Sequence, residues 1–352
     1  MKFVCKVPAF QNLRAFPFLH VEAAESSVTF TIFTGETVLH DSYVLYAAPR
    51  KTYHSAVYVQ VTVPAVVEES GSASFDSKAW KTFLKKDVAV STDPSGPQVA
   101  RIIFGLATQV VEVLEEISMP SENTPPLFPI ALDLGVSEAI SSDTTRPHLN
   151  CLHLQTKNGR LQATATDGHR MHRTAAAFEG ADFEMTVPLL AVTALEAIKG
   201  GDVMCAPGII RKGATTVRFP SFLVSFPPCD RIIPQGADRT TTLPVKELLR
   251  LLKAYPKTPE IAADKDYCSI VLDVSSDGIK ITRAGYYERS IAAKTDTLQP
   301  GEGFKIGVNS YYLIEALELV GEGATMASYG NLDPLLVKNG DRLAVVMPLR
   351  IF

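Results

Sequence analysis

A turn between two strand-like segments carries the side chains of this chain that are best suited to chemistry. Alternating apolar and polar residues predict a strand with one buried face, which ends at Asp167-Gly168. Asp-Gly is a turn dipeptide because glycine adopts positive φ without steric cost. His169, Arg170 and His172 follow at once in a second, polar run. Three interpretations are open: a metal or catalytic site, an ordinary hairpin, or one wall of a binding groove.

The spacing of Asp167, His169 and His172 does not favour a metal centre. Residues three apart on a strand point to opposite faces, whereas zinc ligands are usually histidines four apart on a helix or paired cysteines. The sequence shows no nucleophile–base pair and no glycine-rich phosphate loop, since Gly200-Gly201 reads as a helix terminator. These residues therefore favour a hairpin or a groove wall over an enzyme, and they predict no cofactor and no metal.

The composition narrows the class of protein. With 46% hydrophobic residues, 20% charged residues and a formal net charge of −4, the chain is typical of a soluble globular protein. This charge argues against a protein that coats nucleic acid with its whole surface, although basic residues can still gather on one face. No apolar run is long enough for a membrane span, so we expect a cytoplasmic protein. Buried, reduced thiols are expected at the widely spaced Cys5, Cys151, Cys205, Cys229 and Cys268.

A capped helix followed by a strand recurs three times, over 75–88, 187–203 and 308–325. Equivalent points lie about a third of the chain apart, which indicates duplicated domains and not a short-repeat solenoid. Short strand-like segments with hairpin signals fill the intervals, so the sequence predicts an α+β fold of antiparallel sheets. Polar, proline-rich segments end the first two repeats. The expected domains are 1–123, 124–238 and 239–352.

Two helices carry cations on the face opposite their apolar stripe. In the second of these helices the expected stripe is Val245, Leu248, Leu249 and Leu252. The cations are Lys78, Lys81 and Lys85 in the first helix and Lys246, Arg250 and Lys253 in the second. Such faces are usually only solvated, but two of them at corresponding places of a repeat favour a shared basic surface. The helix near 311–319 instead presents Glu315 and Glu318, so this surface is uneven.

Four motifs, in this order along the chain, resemble those of the bacterial DNA polymerase III β sliding clamp. They are Arg-Pro-His-Leu-Asn at 146–150, Ala-Thr-Ala-Thr-Asp-Gly-His-Arg-Met at 163–171, Phe-Pro-Pro-Cys-Asp-Arg-Ile-Ile-Pro at 226–234, and Val-Val-Met-Pro-Leu-Arg at 345–350. The resemblance covers about residues 145 to 352 well. It is loose over residues 1 to 122, where only residues 8–15 stand in place of the family's long first helix. The first domain is therefore expected to be shortened and divergent.

The resemblance implies three similar DNA-clamp domains whose helices line one face, and a head-to-tail homodimer that closes as a ring around double-stranded DNA. It implies a processivity factor without catalytic activity, which binds DNA independently of sequence. The expected partners are the DNA polymerase III catalytic subunit, the clamp loader and repair proteins, all through linear peptides, and no membrane. The alternative is a degenerate clamp paralogue that acts as a non-ring, peptide-binding adaptor.

Site residues follow from the resemblance by position. A partner-peptide groove between the second and third domains is expected at Leu149, Thr166, Gly168, His169, Arg170, Met171, Pro227, Arg231, Ile232, Tyr267, Asn309, Tyr312, Val345, Val346, Met347, Pro348, Leu349 and Arg350. DNA-binding residues are expected at Lys78, Lys81, Lys85, Arg146, Lys246, Arg250 and Lys253. Apolar walls with a few placed donors, such as His169 and Arg170, suit a peptide receptor.

Overall fold

The computed structural model describes most of the chain. The described residues are 1–6, 16, 18–33, 38–39, 53–54, 57–80, 86–92, 99–104, 107–112, 125–143, 145–198, 200–219, 225–236, 239–254, 269–276, 278–283, 287–291, 294–295, 303–328 and 332–350. Residues 8–15, which stand in place of the family's first helix, lie outside these ranges.

Antiparallel strands dominate the described residues. The strands are β1 Lys2–Lys6, β2 Phe18–Ala24, β3 Ser27–Phe33, β4 Val38–Leu39, β5 Tyr53–His54, β6 Tyr58–Glu69, β7 Gly71–Asp76, β8 Asp87–Thr92, β9 Val99–Phe104, β10 Ala107–Glu112, β11 Phe128–Ile130, β12 Cys151–Lys157, β13 Arg160–Thr166, β14 Arg170–Ala177, β15 Glu184–Pro188, β16 Val203–Ala206, β17 Ile209–Lys212, β18 Thr215–Arg218, β19 Arg239–Thr242, β20 Ser269–Ser275, β21 Gly278–Arg283, β22 Tyr287–Ile291, β23 Lys294–Thr295, β24 Gly303–Asn309, β25 Thr325–Ser328, β26 Leu335–Asn339 and β27 Arg342–Val346. The α-helices are α1 Ser77–Trp80, α2 Leu189–Glu196, α3 Val245–Lys253 and α4 Ser310–Val320. Short 3-10 helices span Leu134–Ala139, Pro147–Leu149 and Cys229–Ile232.

The order strand, helix, strand occurs three times, as β7–α1–β8, β15–α2–β16 and β24–α4–β25. This order confirms the predicted α+β fold. Local chemistry explains the bounds of α4. The Asn309 side chain accepts a hydrogen bond from the Tyr311 amide at 2.9 Å, and Gly321 ends the helix with φ 70°. Residue contacts divide the chain into two compact units, and the three expected domains remain a prediction.

The first unit comprises Met1–Ala131 and Val187–Phe222. Its main sheet has the order β10-β9-β8-β1-β6-β18-β17-β16-β11, and β2, β3 and β7 pair beside it. Its core contains edge-to-face rings, among them Phe30 against Trp80 at 5.8 Å and Phe75 against Trp80 at 5.3 Å between centroids. Helix α1 therefore delivers Trp80 to the core of this unit. Lys81, Lys85 and the side chain of Lys78 lie outside the described residues.

The second unit comprises Leu132–Thr186 and Leu223–Phe352. It contains a nine-stranded sheet, β15-β12-β13-β14-β27-β26-β25-β19-β23, and a four-stranded sheet, β22-β21-β20-β24. The predicted Asn-Gly hairpin joins β12 to β13, with φ 53° at Asn158 and 70° at Gly159. All but one of the predicted groove residues lie in the described part of this unit, and Tyr267 lies outside it.

The apolar stripe predicted for helix α3 of the second unit is wrong at one position. Val245, Leu248, Leu251 and Leu252 are buried, whereas Leu249 is only half-buried. The stripe is centred near Leu248, and Leu251 lies one turn further on the same face. Leu249 is turned about 100° away from Leu248, toward the edge of that face. The cationic positions of this helix face outward as predicted.

The thiols match the sequence prediction where the structure describes them. Cys5, Cys151, Cys205 and Cys229 are free and buried. Burial raises the pKa of Cys5, Cys151 and Cys205 to about 12 and that of Cys229 to about 11, so these thiols are poor nucleophiles. Cys268 lies outside the described residues.

Among the residues that the structure describes, no helix has the length and apolar character that crossing a membrane requires.

Candidate functional site

The turn between β13 and β14 is built by its own side chains. Asp167 Oδ1 accepts hydrogen bonds from the amides of His169 at 2.8 Å and Arg170 at 3.0 Å. Gly168 has φ +90°, and a Cβ added there would lie 3.1 Å from Nη1 of Arg146. The positive φ therefore favours glycine here, and a larger residue would also have to displace the end of the Arg146 side chain. The turn leaves His169 exposed.

Met171 brings the motifs of the sequence together in the second unit. This side chain is completely buried, on the face of β14 that continues at Arg173. It belongs to an apolar cluster whose buried members are Met171, Cys229, Ala327, Leu336 and Val345, with Phe226, Ile233 and Leu343 packed against them. Three of the four motifs, separated by up to about half of the chain, thus share one core cluster.

The C-terminal segment, residues 347–350, is hydrogen-bonded to the turn between β13 and β14. The Met347 amide donates to the His169 carbonyl at 2.9 Å, and the Leu349 amide donates to the Gly307 carbonyl at 2.8 Å. Met347 and Leu349 are half-buried, and Ile232 is 38% exposed. Partly exposed apolar groups on such converging segments suit a receptor for apolar side chains.

Arg170 points to the other face of β14 and is engaged within the unit. Its Nε donates to Asp167 Oδ2 at 3.0 Å, and its guanidinium forms an ion pair with Glu315 of α4 and a hydrogen bond to the Glu138 carbonyl. Its Cζ lies 4.5 Å from the centroid of the Tyr312 ring. The side chain is only 10% exposed. Glu315, expected on an exposed face, is instead the partner of this arginine.

His172 lies on the same face as Arg170 and is completely buried. Burial, followed by repulsion from Arg170, lowers its pKa from 6.5 to about 3. The backbone of Gly135 approaches the ring without a hydrogen bond of normal geometry and only partly opposes this shift. The imidazole is therefore neutral at physiological pH, which does not suit a general acid or an exposed ligand.

Replacing His172 with leucine should flatten the dependence of stability on pH. Between pH 6.5 and about 3 the unfolded chain binds a proton that the folded chain excludes, so stability falls as the solution is acidified. From about pH 6.5 to about pH 5 this linkage costs about 2 kcal/mol, which the variant should not lose. Urea unfolding of both proteins at the two pH values measures the difference. An equal loss in both would contradict a low pKa at His172.

The remaining groove residues have varied environments. Leu149 is buried, and its carbonyl accepts from the Ser141 amide at 3.1 Å. The Thr166 hydroxyl donates to the Arg170 carbonyl at 2.6 Å. Asn309 is buried as the cap of α4. Val346 is buried in β27, Pro227 and Pro348 are half-buried, and Arg231 and Arg350 are exposed.

Nothing in the sequence indicates a stacked pair of rings beside the Met171 cluster. The His153 ring stacks on Phe226 with centroids 4.6 Å apart, and His153 Nε2 lies 2.8 Å from Glu184 Oε1. Phe226 in turn packs against the Met171 cluster. No signal in the sequence joins these three residues, because they come from separate strands and a loop. Among the described residues, no three His, Cys, Asp or Glu side chains group as a metal site would need.

The predicted DNA-binding residues of the described chain lie near acidic groups. Arg250 Nη2 is 3.9 Å from Glu247 Oε1, and Lys253 pairs with Glu318 of α4. The Lys246 amide donates to Glu322 Oε1 at 2.6 Å. These three cations share the exposed face of α3. Arg146 instead borders the turn at Gly168, and its Nε donates to Asp143 Oδ2 at 2.9 Å.

Comparison with curated proteins finds β sliding clamps, although no family profile matches the chain. That of Pseudomonas aeruginosa is 29% identical over 229 residues, which are 61% of each chain. That of Vibrio cholerae is 27% identical over 229 residues, or 60% of this chain and 61% of its own. That of Synechocystis sp. is 24% identical over 306 residues, or 74% and 76%. The chain thus spans about three fifths of the length of the first two relatives.

Solved structures agree with these relatives over the full length. The DNA polymerase III subunit β of Pseudomonas aeruginosa has a TM-score of 0.75 at 18% identity, with 100% of both chains covered. The DNA polymerase sliding clamp of Caulobacter crescentus gives 0.74 at 18%, also over 100% of both chains. The fold is therefore that of a sliding-clamp subunit. Together with the curated relatives, it supports the resemblance carried by the four motifs: the chain is similar to the bacterial β sliding clamps.

Proposed function

We propose that this protein is a sliding clamp that encircles duplex DNA and tethers the replicative polymerase and other DNA-processing proteins through a peptide groove. One observation carries the proposal. The turn at 167–169, the segment 226–234 and the C-terminal segment converge around Met171, with Ile232, Met347 and Leu349 partly exposed. A linear peptide with apolar anchors matches such a surface.

The proposed partners follow from this chemistry and from the family. They are the DNA polymerase III catalytic subunit, the clamp loader and repair proteins, each through a short peptide. DNA would be held by topology and by phosphate contacts, which carry no sequence information. The family is one of non-catalytic processivity subunits, so the protein contributes tethering and not a reaction of its own.

Closure of the ring is tested by the mass in solution. A head-to-tail pair closes as a two-fold assembly, so we expect twice the mass of the chain at micromolar concentration. Light scattering across a concentration series measures it. A chain-sized mass at every concentration would contradict the ring. It would support the alternative, a clamp paralogue that binds peptides as a monomeric adaptor.

A further inference from the structure

We infer that Arg170 and Glu315 form a positioning pair that sets the shape of the peptide groove, and that Arg170 acts through this pair and not by contacting the peptide. The inference rests on the proposed function, because it assigns a role within the same groove. Glu315 is not among the residues that the family motifs indicate. Its role comes from the packing of α4 against the turn.

The surroundings of Arg170 leave its guanidinium little capacity for a ligand. Its Nε donates to Asp167 Oδ2 and its Nη2 donates to the Glu138 carbonyl, while Nη1 forms an ion pair with Glu315. The Tyr312 ring lies 4.5 Å from its Cζ. The Arg170 side chain is 10% exposed and the Glu315 side chain is 24% exposed. A buried cation with this number of partners is held in one orientation, since each partner fixes a different N–H direction.

A continuous chain of contacts leads from this pair to the groove. Glu315 of α4 holds Arg170, and Arg170 holds Asp167 at 3.0 Å. Asp167 in turn accepts from the His169 amide at 2.8 Å, which sets the turn. The His169 carbonyl then accepts from the Met347 amide at 2.9 Å, at the start of the C-terminal segment. Helix α4 thereby fixes the turn and the segment that carry the apolar groups of the groove.

If Arg170 contacted the peptide directly, removing Glu315 would change the peptide affinity in the opposite direction. If the guanidinium bound a carboxylate or carbonyl of the peptide, Glu315 would compete with that ligand, and its removal would strengthen binding. If Arg170 positions the turn, removal of Glu315 loosens the turn and weakens binding. The Glu315→Ala variant therefore distinguishes the two roles, although Glu315 itself touches no ligand in either.

The probe is a fluorescein-labelled Gln-Leu-Ala-Leu-Phe peptide, titrated against the full chain by fluorescence polarisation. We expect Glu315→Ala and Arg170→Ala each to weaken binding about tenfold, the usual size of coupling between a site and a group outside it. The double variant should be no weaker than the single ones, because both remove the same pair. Glu318→Ala, one turn along α4 and paired with Lys253, is the matched control and should keep the wild-type affinity.

Hydrogen exchange supplies a readout that a purely structural role would not give. In Glu315→Ala the Met347 amide should exchange faster, while the amides of β13 that pair with β12 keep their protection. If the alanine variant fails to fold, Glu315→Gln keeps the volume and removes the charge. Unchanged or tighter peptide binding in the variant that folds would overturn the positioning role. Absence of binding by the wild-type chain would instead overturn the proposed groove.

Discussion

Replacing Ile232 with glutamate should abolish peptide binding while leaving the protein folded. Ile232 lies at the end of the 3-10 helix whose Cys229 is buried in the Met171 cluster, yet 38% of its own surface is exposed. A fully buried apolar anchor of the peptide is worth about 1.5–3 kcal/mol. The substitution removes this contact and places a carboxylate where the peptide would desolvate it. We therefore expect a loss of about 100-fold or more in affinity, measured by fluorescence polarisation.

Leu332→Glu is the matched control for this substitution. Leu332 is also an exposed apolar residue of the second unit, at 68% exposure, and the change in charge is the same. It belongs to none of the groove segments. Both variants should therefore melt close to wild type, and only Ile232→Glu should lose the peptide. Equal affinities of the two variants would mean that the groove has been misplaced.

Point substitutions test the C-terminal segment better than a deletion of residues 347–352. A deletion would remove the apolar side chains of Met347 and Leu349 together with their backbone hydrogen bonds to His169 and Gly307. Alanine at each position keeps those bonds and removes only the side chain.

Local chemistry made several elements predictable from the sequence. The Asn158-Gly159 hairpin depends on positive φ at two successive residues, which those residue types tolerate. The bounds of α4 depend on Asn309 and Gly321, which cap its ends. Three of the four motifs that carry the family resemblance also contribute residues to one core cluster, and the groove assigned to them stays a prediction.

Tertiary pairing was not predictable in the same way. Arg170 and His172 are polar, yet His172 is buried and Arg170 nearly so. Arg170 finds its counter-charge on Glu315, far away in the chain, and two polar residues that meet in this way leave no periodic signal. The same limit explains why the sequence predicts an exposed helical face for Glu315, which instead pairs with Arg170.

Replacing Lys246, Arg250 and Lys253 together with glutamate should strongly weaken binding to duplex DNA without affecting peptide binding. These side chains share the exposed face of α3, and each phosphate contact releases condensed counterions. Loss of three contacts should lower the slope of log affinity against log salt by about 2.7, and the new carboxylates add repulsion. Fluorescence anisotropy with two labelled duplexes of unrelated sequence, over a series of salt concentrations, measures both effects. The loss should be the same for the two sequences.

The acidic residues beside the α3 cations allow a second test of the same prediction. Lys253 pairs with Glu318, and Arg250 lies 3.9 Å from Glu247, but these pairs are largely exposed and cost little to break. Glu318→Gln should therefore strengthen DNA binding, because it frees Lys253 for a phosphate. A charge-matched triple variant of the exposed Lys157, Arg211 and Lys338 to glutamate controls for net charge alone. If that control loses as much affinity as the α3 variant, the interaction follows overall charge and α3 does not face DNA.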